Sequence, residues 1–270
     1  MKRMLPALAL LLAGCAGSDA AGPAPKARPT IVSLNPCTDA ILAEVTAPGQ
    51  LLAISHYSKD PQASSMEPAV AARFEATGGT VEEVLALDPD LVVASSFIAP
   101  ATRAALEDLG IEVATFGGVA MVEDSTKQVH ELARLAGDPA AGERLVARME
   151  TALAEASTPG PVVEAALWQP GGIVPGEASL ISDLLRRTGF SSYGAARGMA
   201  QADFLSLENI LADPPQVLLV AGSELGQRHP VLDELPQLRR EAFDTRLIYC
   251  GGPTIIRAAQ RLAAIRKGAL

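Results

Sequence analysis

Basic residues are in the minority in this sequence. Its 270 residues include 22 lysines and arginines against 31 aspartates and glutamates, so the formal net charge at pH 7 is -9. No basic stripe interleaved with aromatic residues is visible, although nucleic-acid-binding domains usually carry one. The charge balance therefore argues against a nucleic-acid partner. With 49% apolar and 20% charged residues, the composition is that of a globular protein.

Histidine is scarce, and the common catalytic motifs are missing. The three histidines, His56, His130 and His229, do not show the spacing of metal ligands. The sequence has no Gly-x-Ser-x-Gly nucleophile elbow, no Walker phosphate loop and no His-Glu-x-x-His zinc motif. These absences predict a protein that has no catalytic residues, no metal site of its own and no resident cofactor.

Long apolar runs are also missing, apart from one short run near the N-terminus. Lys2 and Arg3 precede an apolar segment over residues 5–13, which is too short to span a bilayer permanently. The segment leads into Leu-Ala-Gly-Cys at residues 12–15 and resembles a bacterial lipoprotein signal. The resemblance implies that residues 1–14 are removed and that Cys15 is lipidated; the alternative is an ordinary secretory signal with an incidental cysteine. Residues 15–29 are expected to form a flexible tether.

One stretch of the sequence occurs twice, over residues 80–93 and 206–219. Each copy opens with a hydroxyl residue suited to cap a helix, Thr80 or Ser206, and a glutamate follows in the first turn. A proline ends each helix, and a run of apolar residues typical of a buried parallel strand comes next. Two distant copies predict two similar α/β lobes with a ligand cleft between them.

The remaining segments predict parallel sheets in both lobes. Short apolar strands alternate with amphipathic helices on either side of one long helix over residues 139–157, which follows the N-cap Asp138. We therefore expect an α/β fold with an N-terminal lobe over residues 30–121, a helical segment over 122–158 and a C-terminal lobe over 159–270. Within the last lobe, a helical piece is expected at 235–242 and a strand at 246–249.

This pattern resembles the periplasmic substrate-binding proteins of ABC importers for iron–siderophore complexes and vitamin B12. The resemblance is carried by residues 31–36, 82–93, 170–172, 206–220 and 250–253, together with Gly176. It implies two α/β lobes joined by a single long helix, small hinge motion, a monomeric state, and a membrane permease with its ATPase as partners. It also implies that Glu82 and Glu208 dock on the permease, a role that the neighbouring Glu83 could share.

The ligand implied by the resemblance is a metal chelate, with a ferric siderophore as first choice and a corrinoid as second. Aromatic residues make up only 4% of the sequence, whereas B12-binding members of the family line their cleft with several large rings. A siderophore would suit Arg197, Arg228 or Arg257 as anchors, although each could equally be a solvated surface arginine. The alternative from another class is an envelope-anchored α/β enzyme.

Candidate ligand contacts follow the predicted parallel strands, because ligands bind at the carboxyl ends of such strands. Trp168, the only tryptophan, lies in such a loop but could equally be a core or rim residue. Tyr57 aligns with a ligand-contacting aromatic residue of the family. The full set of candidate contacts is Cys37, His56, Tyr57, Phe97, Trp168, Gln169, Gly172, Cys250 and Arg257.

Two cysteines remain once Cys15 is assigned to lipidation. Cys37 and Cys250 lie in predicted cleft loops on opposite lobes. In an oxidising compartment the default is a disulfide, which would hold the lobes together and oppose ligand exchange. Free thiols at the cleft are a second interpretation, and ligation of a soft metal with His56 or His229 nearby is a third. The sequence leaves these alternatives open.

Overall fold

The computed structural model describes residues 27–157, 159–200 and 202–269. The predicted signal segment, Cys15 and most of the predicted tether lie outside these residues. Of the helices in the described ranges, none is long and apolar enough to cross a membrane.

Five parallel strands form the sheet of the first lobe. They are β1 (Ile31–Ser33), β2 (Leu51–Ser55), β3 (Glu75–Thr77), β4 (Leu91–Ser95) and β5 (Glu112–Phe116), in the spatial order β3-β2-β1-β4-β5. The intervening helices are α1 (Pro36–Val45), α2 (Pro68–Ala71), α3 (Val81–Leu87) and α4 (Pro100–Asp108). β1 pairs with β4 at the centre, where the side chains of Ile31 and Val92 are fully buried. β1 and β4 are apolar except for the serine that ends each of them, as is typical of parallel strands buried on both faces.

Two helices carry the chain from the first lobe to the second. α5 (Val122–Leu135) is followed by Gly137, which adopts a positive φ of 74° as glycines after helices often do. α6 (Pro139–Ala156) then begins where the Asp138 carboxylate accepts the Ala141 N–H at 3.0 Å. The 18 residues of α6 span about 27 Å. The connection is therefore a helical hairpin whose second arm is the long interlobe helix.

Four parallel strands form the sheet of the second lobe. They are β6 (Val163–Trp168), β8 (Phe190–Ser192), β10 (Val217–Val220) and β11 (Arg239–Ala242), in the spatial order β11-β10-β6-β8. An antiparallel pair, β7 (Ile173–Pro175) and β9 (Ala202–Phe204), forms a separate small sheet. The helices of this lobe are α7 (Leu180–Arg187), α8 (Tyr193–Ala196), α9 (Leu207–Ala212) and α10 (Thr254–Gly268).

One apolar core runs from the first lobe into the second. Its buried members include Ile41 of α1, Leu132 of α5, Met149 of α6 and Leu262 of α10. α6 packs against α5, α1 and α10, so it contacts both lobes. A rotation of one lobe against the other would expose these side chains, at about 1.5–3 kcal/mol for each large one. The shared core therefore opposes large hinge motion.

Both copies of the repeated stretch form a helix followed by a strand, α3 with β4 and α9 with β10. The Thr80 hydroxyl accepts the Glu83 N–H at 3.3 Å, and the Ser206 hydroxyl accepts the Asn209 N–H at 3.2 Å. The same capping chemistry thus begins both helices. Because this chemistry is local, it was visible in the sequence.

The last part of the second lobe differs from the prediction. Residues 239–242 of the predicted helical piece form β11, which pairs in parallel with β10, and the predicted strand at 246–249 begins as a single helical turn. Arg246 Nη2 donates to Asp244 Oδ2 at 2.7 Å across this turn. β11 is a polar edge strand with alternately exposed residues, so its apolar periodicity is weak and its pairing with β10 decides its conformation.

Candidate ligand-binding cleft

A cleft of about 410 Å³ lies between the lobes. Phe97, which follows β4, lines it from the first lobe, and residues 118–120 line it beyond β5. The residues that line it from the second lobe are Leu167, Gln169, Pro175, Ala178, Ser179, Leu180, Ile181, Ala202, Ile248 and Tyr249. The strand ends of both lobes therefore contribute, as expected for a ligand site in parallel α/β structure.

The lining of the cleft is electrically neutral. Among the described residues, none that lines it carries a charge, and its polar side chains are those of Gln169, Ser179 and Tyr249. Nor does any group of three or more His, Cys, Asp or Glu residues in the described ranges have the arrangement of a metal site. The cleft can therefore bind a ligand through apolar surface and neutral hydrogen bonds.

Three predicted contacts lie on the first-lobe side at the carboxyl ends of β2 and β4. The rings of His56 and Tyr57 contact each other with centroids 4.1 Å apart, and His56 Nδ1 lies 3.3 Å from the Thr77 carbonyl oxygen. The Tyr57 side chain is 54% exposed and that of Phe97 is 89% exposed. Phe97 lines the cleft, whereas His56 and Tyr57 do not belong to its lining. All three stay predicted contacts.

The turn after β2 rests on a buried carboxyl group. Asp39 Oδ2 accepts the Ser55 backbone N–H at 2.9 Å and the Ser58 hydroxyl at 2.6 Å. Asp39 is fully buried, and its Oδ1 has no hydrogen-bond partner among the described residues. Burial raises the pKa of the Asp39 carboxyl to about 7, and the nearby Ser33 hydroxyl together with the hydrogen bonds from Ser58 and Ser55 lowers it only in part.

Trp168 belongs to the core of the second lobe and not to the wall of the cleft. Its side chain is 4% exposed and packs in a cluster with Val174 and Tyr193. The indole Nε1–H donates to the Leu205 carbonyl oxygen at 3.0 Å, which satisfies the one polar group of the ring. Of the two sequence interpretations of Trp168, the structure supports the core one, so Trp168 is withdrawn as a ligand contact.

Replacing Trp168 by phenylalanine should lower the free energy of unfolding by about 1–3 kcal/mol, because the Leu205 carbonyl loses a buried donor. Urea unfolding followed by circular dichroism measures this, since the variant has no tryptophan fluorescence. Tyr193→Phe is the matched control: its hydroxyl donates to the Asp213 carbonyl oxygen at a partly exposed position where water can substitute. An equal loss in both variants would contradict the burial argument.

Gly172 allows two segments of the second lobe to approach closely through its backbone geometry. Its φ is 75°, and a Cβ atom at this position would lie 2.5 Å from Cε2 of Phe204. The Leu205 N–H donates to the Gly172 carbonyl oxygen at 2.8 Å, so the missing side chain lets these two segments approach. Gly172 does not line the cleft, whereas the predicted contact Gln169, three residues earlier, does.

Cys37 and Cys250 form a disulfide between the lobes, with an S–S distance of 2.11 Å and a Cα–Cα distance of 5.1 Å. The first of the three sequence alternatives is therefore the one that the structure shows. Neither sulfur is available as a free thiol or as a metal ligand, so both cysteines are corrected from ligand contacts to a structural cross-link. The sequence could not decide this, because it does not place two sulfurs within bonding distance.

Arg257 is not part of the cleft lining and instead forms an ion pair between the lobes. Its guanidinium group donates to the Glu67 carboxylate and to the Ser65 carbonyl oxygen of the first lobe. Arg246 lies 3.6 Å from the same carboxylate. The predicted role of Arg257 as a ligand contact is therefore corrected, because its charge is already paired at the lobe boundary.

The other two arginines considered as ligand anchors also have local partners. Arg197 pairs with Glu164 at 2.9 Å and with Asp213 at 2.6 Å. Arg228 donates to the Ser223 carbonyl oxygen. Neither lines the cleft. An anionic ligand would therefore find none of the three predicted cationic anchors there.

Tyr249 is a cleft residue that the sequence prediction missed. Its side chain is 43% exposed and lines the cleft beside Ile248. Both residues lie in the segment that was predicted as a strand, so they were not considered as loop contacts. The available signal was their position directly before Cys250, which was already assigned to a cleft loop.

The two glutamates of the repeat are exposed at the starts of their helices. Among the described residues, the Glu82 carboxylate has no hydrogen-bond or ion-pair partner, whereas Glu83 Oε2 accepts the Thr77 hydroxyl at 2.9 Å. The pKa of the Glu208 carboxyl is lowered because its own backbone N–H and the Ser206 hydroxyl donate to it. Of Glu82 and Glu83, Glu82 therefore has the carboxylate that is more available to a partner molecule.

Two parallel α/β lobes, a long interlobe helix and a neutral cleft at the strand ends define a two-lobed ligand-binding protein. The family model described as periplasmic binding protein matches residues 31–240, and the chain belongs to that family. This is a family of binding proteins and not of enzymes. No curated protein sequence matches the chain.

Solved structures show the same fold. The apo periplasmic heme-binding protein RhuT from Roseiflexus sp. RS-1 is 20% identical with a TM-score of 0.68, over 90% of this chain and 98% of that one. The periplasmic vitamin B12 binding protein BtuF of Vibrio cholerae is 18% identical with a TM-score of 0.68, over 89% and 97%. The periplasmic heme-binding protein HutB of Vibrio cholerae is 16% identical with a TM-score of 0.71, over 88% and 98%.

Proposed function

We propose that this protein is the substrate-binding component of an ABC importer, which captures a metal chelate in its cleft and delivers it to a membrane permease. The observation that carries the proposal is the neutral cleft of about 410 Å³ between two parallel α/β lobes. The similar structures named as heme-binding and vitamin B12 binding proteins support a chelate as the ligand.

The neutral lining favours a tetrapyrrole chelate over a ferric catecholate siderophore. Ferric catecholate complexes carry a net negative charge and need cationic anchors, and Arg197, Arg228 and Arg257 are all engaged away from the cleft. The lining instead offers apolar surface and the neutral polar groups of Gln169 and Tyr249. The sequence placed a ferric siderophore first and a corrinoid second; we propose instead a tetrapyrrole, heme or corrinoid, first and a siderophore second.

Exposed aromatic residues on both lobes support the same ligand class. Phe97 of the first lobe and Tyr249 of the second line the cleft, and Tyr57 of the first lobe follows β2 outside this lining; each is more than two-fifths exposed. Aromatic rings pack well on a flat conjugated macrocycle, and a tyrosine oxygen is a known ligand of heme iron. Tyr57 and Tyr249 are therefore proposed as contacts of the macrocycle or of its metal.

Native mass spectrometry of residues 27–270, which exclude the predicted signal segment and Cys15, tests the proposal. The panel contains hemin, cyanocobalamin, a ferric catecholate siderophore and a ferric hydroxamate siderophore. We expect saturable one-to-one binding of a tetrapyrrole, with absorbance titration giving the affinity and separating hemin from cobalamin. Binding of a siderophore alone would reverse the ligand order. Chemical conversion of any bound chelate would instead favour the enzyme alternative.

Docking and anchoring complete the proposal. Glu82 and Glu208 each begin a helix that leads into a central strand of its sheet, so each lobe presents a carboxylate to basic pockets of the permease. The mature chain is placed in the periplasm and held at the membrane through lipidated Cys15. The sequence motif at residues 12–15 supports this anchor.

A further inference from the structure

Residues 250–252 of the second lobe cross the first lobe and α5 at close range. A Cβ atom on Gly251 would lie 2.4 Å from the Ser125 hydroxyl oxygen, and one on Gly252 would lie 2.5 Å from Cγ1 of Ile41. The Ser125 hydroxyl also accepts the Gly252 N–H at 2.7 Å. Only glycine fits these contacts at residues 251 and 252. The crossing, as we call this contact of residues 250–252 with the first lobe and α5, is therefore closely packed.

The interlobe disulfide lies at this crossing and next to the ligand cleft. Cys37 is in the first turn of α1, and Cys250 directly precedes the two glycines. On the other side of Cys250 is Tyr249, which lines the cleft. One covalent bond therefore fixes both the distance between the lobes at the crossing and the position of a wall residue.

We infer that the Cys37–Cys250 disulfide is a latch that sets the width of the cleft, and that its reduction by a dithiol loosens the lobes and speeds ligand exchange. The ligand-exchange half rests on the proposed function, whereas the loosening of the lobes does not. Arg257 and Glu67 form a second link between the lobes, the ion pair described above. This pair remains after reduction, so the lobes loosen at the crossing without separating.

The two sulfurs differ in accessibility, which gives the reduction a direction. Cys37 is partly exposed, whereas Cys250 is 3% exposed. A thiolate of the dithiol attacks Cys37 Sγ, the S–S electron pair leaves on Cys250 Sγ, and that sulfur takes a proton. The second thiol of the dithiol then attacks the mixed disulfide and releases Cys37, so the dithiol is oxidised to a disulfide as the two cysteines are reduced. The Cys37 thiolate is left in the first turn of α1, where the helix dipole stabilises negative charge.

Hydrogen exchange without ligand tests the loosening of the lobes. The samples are the oxidised protein, the protein reduced with dithiothreitol, and the Cys37→Ser/Cys250→Ser double variant. We expect the Gly252 amide, which donates to Ser125, to exchange about tenfold faster in the last two samples. The reduced wild-type protein keeps the test valid if the double variant does not fold. Equal exchange in the oxidised and reduced proteins would overturn the latch.

Dissociation of bound hemin or cyanocobalamin tests the effect on exchange of ligand. The rate constant should rise about fivefold or more on reduction and in the double variant, with a smaller change in the association rate constant. Dithiothreitol added to the double variant controls for its reaction with the chelate and should leave the rate unchanged. Glu67→Gln is the matched control, since it removes the interlobe ion pair and keeps the disulfide.

The two readouts separate the latch from the proposed function. Faster amide exchange on reduction with no binding of either chelate supports the latch and rejects the ligand assignment. An unchanged dissociation rate in a reduced protein that does bind a chelate overturns the ligand-exchange half of the inference. A Glu67→Gln variant that accelerates dissociation as much as reduction does would assign the effect to the ion pair and overturn the latch.

Discussion

Reversing the charges of Glu82 and Glu208 together is expected to reduce transport by about 100-fold or more and to leave chelate binding unchanged within about twofold. Both carboxylates are exposed at helix starts and neither lines the cleft. Arginine in their place would meet the basic pockets that we propose for the permease with like charge. Loss of one partner from a buried charge pair already costs about 2–5 kcal/mol, and each lobe would lose one.

The measurement pairs an uptake assay with a binding titration of the same variants. Uptake of the chelate that binds is followed in cells that carry the cognate permease, and binding is followed by absorbance. Glu143→Arg/Glu150→Arg is the matched control, because both residues are exposed on α6 and the change in net charge is the same. Similar transport losses in the two double variants would show that net charge alone causes the effect. If the Glu82/Glu208 variant lost chelate binding together with transport, the repeated stretch would be a structural element and not a docking site.

Glu82 and Glu83 can be separated by the same assay. Glu83 already accepts the Thr77 hydroxyl, which lowers the pKa of the Glu83 carboxyl, so its side chain has a role inside the lobe. Glu82 has no such partner among the described residues. Docking stays a prediction, and because Glu83 is already engaged with Thr77 we propose Glu82 as its first-lobe residue, beside Glu208 on the second lobe.

Local chemistry made much of the fold predictable. The caps Thr80, Ser206 and Asp138 and the apolar runs of β4 and β10 act over a few residues, so one sequence is enough to place the helices and strands beside them. The sequence did not predict β11, because an edge strand of mixed exposure has no strong apolar periodicity of its own. Its conformation comes from pairing with β10, which is not a local property of residues 239–242.

The candidate site was less predictable because its residues depend on contacts between distant segments. Position after a strand correctly brought Phe97 and Gln169 to the cleft. The same rule could not tell that the Trp168 ring turns into the core toward Leu205, or that Arg257 finds Glu67 across the lobe boundary. The direction of a side chain at a strand end depends on the distant residues that it contacts. The spacing of residues along the sequence does not reveal those contacts.

Asp39 should make the protein less stable as the pH rises from about 4 to 8. Its pKa is raised from 3.8 to about 7 by burial, so the native state holds a proton that the unfolded state releases. The resulting stabilisation is complete below pH 3.8 and is lost as the pH rises through 7. Because one pKa unit corresponds to about 1.4 kcal/mol, Asp39 contributes about 4 kcal/mol at most to this change.

The Asp39→Asn variant isolates this contribution, since other carboxyl groups titrate alike in both proteins. Asparagine keeps an acceptor for the Ser55 N–H and the Ser58 hydroxyl and cannot ionise. The free energy of unfolding of the variant, measured with urea, should therefore rise by about 2–4 kcal/mol relative to wild type between pH 4 and pH 8. Asp60→Asn, an exposed turn carboxylate after the same strand, should show no such trend. A constant difference between the Asp39 variant and wild type would mean that Asp39 is ionised in the native state throughout this range, with water or another group satisfying Oδ1.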